Sequence, residues 1–216
     1  MSAWLRWTFI LLIFTLLVVV PFVHFRSVYA HSKRFREVDP GHLYRSGQLT
    51  AEGMTDVIAE NHIRLVLNVQ EDVQDPDCYL SYVDRRTIKE SVLCDKLGVR
   101  YVCIPTDLVF DLTHPDHRPA GIDNFLKLMD DPANHPVLLH CKAGLHRTGI
   151  FAAVYRMEYN GWSKHEALEE VRALGFGELV CTPDNEYIRE YILTFAPGRR
   201  KQGDAAAVAQ TASPEP

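Results

Sequence analysis

Residues 7–25 (WTFILLIFTLLVVVPFVHF) contain no Asp, Glu, Lys or Arg and, at the rise of an α-helix, are long enough to cross a bilayer. Beyond them the pattern changes. Short apolar runs at 43–45, 64–69, 100–104 and 137–140 predict strands, and they alternate with segments whose apolar positions recur at helical spacing. Thr50 is placed to cap a helix running to about Asn61. Residues 85–97 predict an amphipathic helix and 119–129 another. Residues 148–159 are helical in pattern and so apolar that this helix is expected to lie buried against a sheet, stopped by Gly161. Ser163 and Glu166 make a capping box for the next helix, and Thr182-Pro183-Asp184 is a start for a last one. The order predicts an α/β fold with a central, mostly parallel sheet flanked by helices.

Three units follow. Residues 1–30 are an N-terminal membrane anchor and juxtamembrane segment, 31–196 one folded domain, and 197–216 a small, polar, aperiodic tail expected to be disordered. The alternative for the first unit is a cleaved signal peptide, with Arg6 as its charged start and Val28-Tyr29-Ala30 near the cleavage point. The long, partly charged approach from Pro21 to Tyr29 favours the anchor. Arg26, Lys33, Arg34 and Arg36 follow the span against Arg6 alone before it, which places the folded domain in the cytoplasm of a single-pass membrane protein. A net charge of -5 gives no reason to expect nucleic acid as a partner, and oligomeric state has no signal. Five cysteines, at 78, 94, 103, 141 and 181, form no C-x-x-C pair, which argues against a disulfide framework or a zinc ribbon.

The chemistry is concentrated in residues 136–149, PVLLHCKAGLHRTG, where a buried strand, a cysteine, a glycine-containing loop and a helix start follow one another. Backbone amides across Lys142, Ala143, Gly144, Leu145, His146 and Arg147 can turn inward as a nest for a phosphate dianion, to which the following helix adds its positive end. Gly144 permits the tight path. Arg147, six positions after Cys141, can return across the loop and hold two phosphate oxygens with its planar fork. That positive field lowers the pKa of Cys141, whose thiolate attacks phosphorus to form a phosphocysteine. Thr148 is placed to stabilise the leaving thiolate, and His140 to orient the loop. The chemistry needs no metal and no cofactor. An inert core thiol at a strand end is the plain alternative for Cys141, but it leaves Gly144, Arg147 and Thr148 unexplained together.

His140-Cys141, five residues, then Arg147-Thr148 resembles the active-site motif of the protein tyrosine phosphatase superfamily. The short domain is similar to the atypical dual-specificity phosphatases of bacteria and fungi, in which a segment like Leu43-Tyr44-Arg45-Ser46-Gly47-Gln48 lies near the domain start. The similarity covers roughly residues 35–196. It implies a protein-tyrosine-phosphatase-like fold with the phosphate-binding loop between strand and helix, hydrolysis of phosphate monoesters, and an Asp upstream of the cysteine as general acid.

Asp107, Asp111 and Asp116 compete for that role. Asp107 is preferred because it follows directly on the strand ending at Ile104 and Pro105; the tryptophan-proline-aspartate version is missing here. Arg45 and Ser46, with Gln48, either brace the loop or form an ordinary turn. Cys103 or Cys181 is a candidate partner for a reversible disulfide with Cys141. Phosphotyrosine protein is the first substrate expectation. A phosphoinositide or other lipid or inositol phosphate is the alternative, since the run Cys141-Lys142-Ala143-Gly144 is similar to the loop of tensin-type phosphatases. A non-catalytic pseudophosphatase that binds phosphorylated ligands and a rhodanese-type sulfur transferase are the readings of other classes.

Overall fold

The computed structural model describes residues 3–70, 73–104, 119–175 and 186–198. Helix α1 (Ala3–Phe14), a π-helical turn (Thr15–Val19) and helix α2 (Val20–Ser32) run on without a break, and Pro21 follows directly on the π-helical turn. This is the one described helix long and apolar enough to cross a membrane. It continues past residue 25 to Ser32, and its last turn reaches the folded domain. There the carbonyl of His31 lies so close to helix α3 (Ala51–Asn61) that a Cβ on Gly53 would overlap it, and His31 Nε2 is 3.0 Å from Asp56 Oδ2.

The domain is built on a five-stranded sheet in the order β1-β2-β7-β3-β6. Edge strand β1 (Arg36–Asp39) is antiparallel to β2 (Leu43–Gly47), while β2, β7 (Val137–Cys141), β3 (Leu65–Asn68) and β6 (Arg100–Cys103) are parallel. Both faces of the central strands are covered, which is why β3 and β7 read as continuous apolar runs and do not alternate. Leu65, Leu67, Val137 and Leu139 point into one core, with helices α5 (Ala120–Asp130), α6 (His146–Tyr159), α7 (Lys164–Ala173) and α8 (Glu186–Thr194). Val66 and Leu138 point into the other, with α3 and α4 (Glu90–Lys96).

Thr50 accepts from the Gly53 amide, and Ser163 and Glu166 form the expected reciprocal cap on α7. One helix expectation is corrected. Residues 85–97 are not one helix: Thr87–Lys89 is strand β5, paired antiparallel with β4 (Asp77–Tyr79), and α4 begins only at Glu90. β-Branched Thr87 and Ile88 take the ladder, and the extended backbone of Lys89 starts the helix after it. The last helix is described from Glu186, so its Thr182-Pro183-Asp184 start lies outside the described residues, as does the 199–216 part of the tail.

Candidate active site

Strand β7 carries Cys141 to the edge of the sheet at which β2, β3 and β6 also end, in register with Gly47 on β2. The chain then turns through residues 142–145 and enters α6 at His146, two residues earlier than the apolar pattern indicated. Gly144 makes the turn with φ +74°, and a Cβ there would stand 2.5 Å from the Gly47 amide nitrogen and 2.7 Å from the Ser46 carbonyl oxygen. Glycine is therefore required both by its dihedral and by the close approach of the loop to β2.

The sulfur of Cys141 is buried at the base of this loop. Burial alone would raise its pKa, but the hydroxyl and amide of Thr148 and the amides of Gly144 and Ala143 outweigh it and hold the thiol below its ordinary value. The Gly144 amide lies 3.2 Å from the sulfur. The buried Thr148 hydroxyl has no partner in strict hydrogen-bond geometry, yet it stands close enough to the sulfur to favour the thiolate. The other described thiols go the opposite way: burial first, and Glu90 next, push Cys94 up to about 12 and Cys103 up to about 11, and Cys78 higher still. Cys141 alone among them is tuned to ionise.

Around this sulfur the structure brings together most of the expected residues. Lys142 is exposed, Ala143 and Leu145 are half-buried, and His146 and Arg147 occupy the first turn of α6. Burial, then Arg147 and Arg34, lower the pKa of His146. Arg45 sits on β2, buried, with one guanidinium nitrogen donating to the Gly144 carbonyl at 3.0 Å. Burial draws Arg45 down to about 10, against the pull of Glu170 and Cys141, which still leaves a cation at neutral pH. Ser46 is fully buried and its hydroxyl has no hydrogen-bond partner among the described residues.

His140 lies behind the cysteine, fully buried, with Nε2 3.3 Å from Oε2 of an equally buried Glu90. Burial opposes its charge, but Glu90 overcomes that and raises its pKa. Cys78 and the hydroxyl of Tyr101 also donate to Glu90, each at 3.4 Å. Sequence reasoning missed Glu90 because fifty positions separate it from His140 and only the packing of α4 on the sheet joins them. It also took Lys33 and Arg34 as topogenic charges alone, whereas both side chains reach the loop, Lys33 Nζ to the Lys142 carbonyl at 2.5 Å and Arg34 to that of Ala143 at 3.0 Å.

Two expectations end differently. Asp107, Asp111 and Asp116 lie outside the described residues, as does Cys181. Cys103 is no disulfide partner for Cys141: Asn68 of β3 pairs with Cys103 on one side and His140 on the other, so two strand spacings, about 10 Å, separate the two thiol-bearing strands.

The sequence matches, over residues 19–189, the family described as DSP-PTPase phosphatase fused to NAD+ kinase. It is 58% identical over 43 residues to the dual specificity protein phosphatase TpbA of Pseudomonas aeruginosa, an alignment spanning 20% of each chain, so it covers about a fifth of that curated relative's length. It is 35% identical over 66 residues to the inositol diphosphatase SIW14 of Saccharomyces cerevisiae, which is 31% of this chain and 23% of that one. Among solved structures, P. aeruginosa TpbA superposes with a TM-score of 0.56 at 25% identity, covering 76% of this chain and 86% of that one. The Siw14 catalytic core superposes at 0.55 with 18% identity and the same coverages.

Proposed function

The chain belongs to the dual-specificity branch of the protein tyrosine phosphatase superfamily, and from that membership we propose that it hydrolyses phosphate monoesters through a phosphocysteine at Cys141. The observation that carries this reading is a buried thiol at the start of a helix, 3.2 Å from the Gly144 amide and held below its ordinary pKa by the Thr148 hydroxyl and the inward-facing amides. The Cys141 thiolate attacks phosphorus in line while the amides of residues 142–147 and the Arg147 guanidinium hold the three equatorial oxygens. Negative charge moves from sulfur to the departing ester oxygen. Asp107 protonates that oxygen: the chain leaves β6 at the same sheet edge at which β7 delivers Cys141, and Asp107 is the first carboxylate after it. Water then attacks the phosphocysteine, the carboxylate takes the water's proton, and Thr148 and the loop amides receive the sulfur as a thiolate. His140, paired with Glu90, orients the loop from behind and stays out of proton transfer.

Phosphotyrosine protein is the first substrate reading. A specific observation favours a second, a phosphoinositide or other lipid or inositol phosphate: a cavity of about 290 Å³ opens beside the loop, where Arg26, Lys33, Arg85 and Lys142 outnumber one carboxylate, Asp77, itself paired with Lys89. Its cations suit a second anionic group, and relatives include an inositol diphosphatase. On this reading the apolar N-terminal helix anchors the domain in a membrane, and the excess of Arg26, Lys33, Arg34 and Arg36 after the span over Arg6 before it supports a cytoplasmic domain, an orientation that a reporter fused after Pro216 reads. Metal-free turnover of an aryl phosphate by the full chain tests the chemistry. Cys141→Ser and Arg147→Lys are expected to lose nearly all of it, and full activity in Cys141→Ser would remove the covalent mechanism. Phosphopeptides and phosphoinositides then separate the substrate readings; binding of both without turnover of either would make the protein a pseudophosphatase.

A further inference from the structure

A trans peptide group points its carbonyl and its amide in opposite directions, so whatever fixes the one fixes the other. In the phosphate loop this matters for two peptide groups in succession. The amide of Gly144 donates to the Cys141 sulfur at 3.2 Å, and the amide of Ala143 beside it helps to lower the pKa of the thiol. Their carbonyls, those of Lys142 and Ala143, face outward, and each meets a cation from the segment that leaves the membrane helix: Lys33 Nζ at 2.5 Å from the first, Arg34 at 3.0 Å from the second.

That segment is itself fastened to the sheet. The carbonyl of Lys33 accepts from the Gly47 amide at 2.8 Å, and a Cβ on Gly47 would crowd both the Lys33 side chain and the Ala143 carbonyl. Arg34 takes a left-handed backbone, φ +56°, which costs a non-glycine residue on the order of 1 kcal/mol. The turn thus directs both side chains onto the loop at some expense in backbone energy. The same Arg34 nitrogen, Nη1, also donates to the Tyr29 hydroxyl at 2.8 Å, one helical turn before the end of α2.

We propose that Lys33 and Arg34 are positioning residues for the Cys141 thiolate, holding the Lys142 and Ala143 carbonyls outward so that the next two amides stay turned onto the sulfur, and that they thereby make the end of the membrane helix part of the active site. Hydrogen bonds in series polarise one another, so a cation on the carbonyl also strengthens donation by the amide of the same peptide group. Arg45 donates to the next carbonyl, that of Gly144, from inside the fold. The electrostatics run in the same direction: burial and Arg34 lower the Lys33 pKa while the Cys141 charge raises it, so cation and thiolate sense one another across the loop.

This inference rests on the phosphatase reading, and one experiment distinguishes their failures. The full-length protein is alkylated with iodoacetamide across a pH series, and labelling at Cys141 is followed by peptide mass spectrometry. Lys33→Met with Arg34→Ala is expected to move the Cys141 midpoint up by roughly half a unit or more, slowing alkylation below that midpoint about threefold or more. Arg34→Lys in an otherwise native chain should recover most of the Arg34 share, because it keeps a donor for the carbonyl. Lys96→Met, which removes an exposed cation on α4 far from these contacts, should leave the midpoint unchanged. A double variant that folds and alkylates with the native midpoint would overturn the inference; if it does not fold, each single substitution reads the same shift. A native protein whose Cys141 titrates as an ordinary thiol would instead sink the phosphatase reading itself.

Discussion

Gly144→Ala is the substitution for which the structure gives the largest effect from the smallest change. The added methyl would stand 2.5 Å from the Gly47 nitrogen and 2.7 Å from the Ser46 oxygen, both backbone atoms of a buried central strand that cannot yield. Reaching an ordinary contact of 3.4 Å requires the loop to retreat by about 0.9 Å, and the φ of +74° adds roughly 1–2 kcal/mol for a residue with a Cβ. With about 1–3 kcal/mol more for overpacking, the protein should lose about 2–5 kcal/mol of stability. Moving the loop also carries the Gly144 amide off its 3.2 Å bond to the sulfur, and a misplacement near 1 Å in a catalytic constellation costs on the order of 100-fold. The assay is kcat/KM on an aryl phosphate at a temperature where circular dichroism shows the variant folded, with Cys141 alkylation read in parallel. A folded Gly144→Ala protein with native kcat/KM and a native thiol midpoint would refute the idea that this glycine sets the loop against β2.

Glu90→Gln leaves His140 buried beside a neutral partner and should cost about 3–5 kcal/mol where the imidazolium is present. Because Glu90 raises the folded pKa of His140, the pair's contribution is complete below the unfolded value near 6.5 and disappears as pH rises through the folded value. Denaturant titrations should therefore show a gap between native and variant that is largest in acid and narrows as pH rises; a gap that widens with pH would overturn the charged pair. Asp107→Asn should lower kcat roughly 100-fold on an ester with a poor leaving group and change KM little, while Asp111→Asn and Asp116→Asn remain near native; the reverse ranking transfers the acid role. Vanadate at about a hundred times its dissociation constant should stabilise the native protein by about 2.7 kcal/mol in thermal unfolding and do nothing for Arg147→Lys, whose equal stabilisation would remove the guanidinium from the anion site.

The phosphate loop was legible in the sequence because its parts are contiguous. A strand end, a glycine, an arginine six positions after the cysteine and a helix start can be assembled from residues 136–149 without knowledge of any long-range contact. The parallel sheet was legible for a related reason: strands covered on both faces, such as β3 and β7, leave apolar runs that no turn interrupts. What was hidden depends on distant packing or on elements too short to have a period. Strand β1 is four residues of REVD at an exposed edge, and β5 is three residues that owe their conformation to β4. The partnership of His140 with Glu90 has no local signature at all. Lys33 and Arg34 were visible only as charges after an apolar span, a reading that accounts for their sign but not for their aim.

That aim bears on how the charges in the site balance. Arg45 is buried with its Nη1 unpaired among the described residues, a costly arrangement for a cation in a low dielectric unless an anion lies near. Glu170 is the first such anion, and Cys141 as a thiolate is the second, buried as Arg45 is. Each therefore lessens the cost of burying the other. Yet, with Glu90 engaged by His140 and Glu170 by Arg156, one thiolate stands against Arg45, Lys33 and Arg34 among the described residues. The surplus is positive, and it is centred on a loop whose amides face the same sulfur. A neutral ligand gains nothing from this field, and a dianion gains most, so the arrangement that lets the sulfur ionise is also the one that selects a phosphate to sit above it.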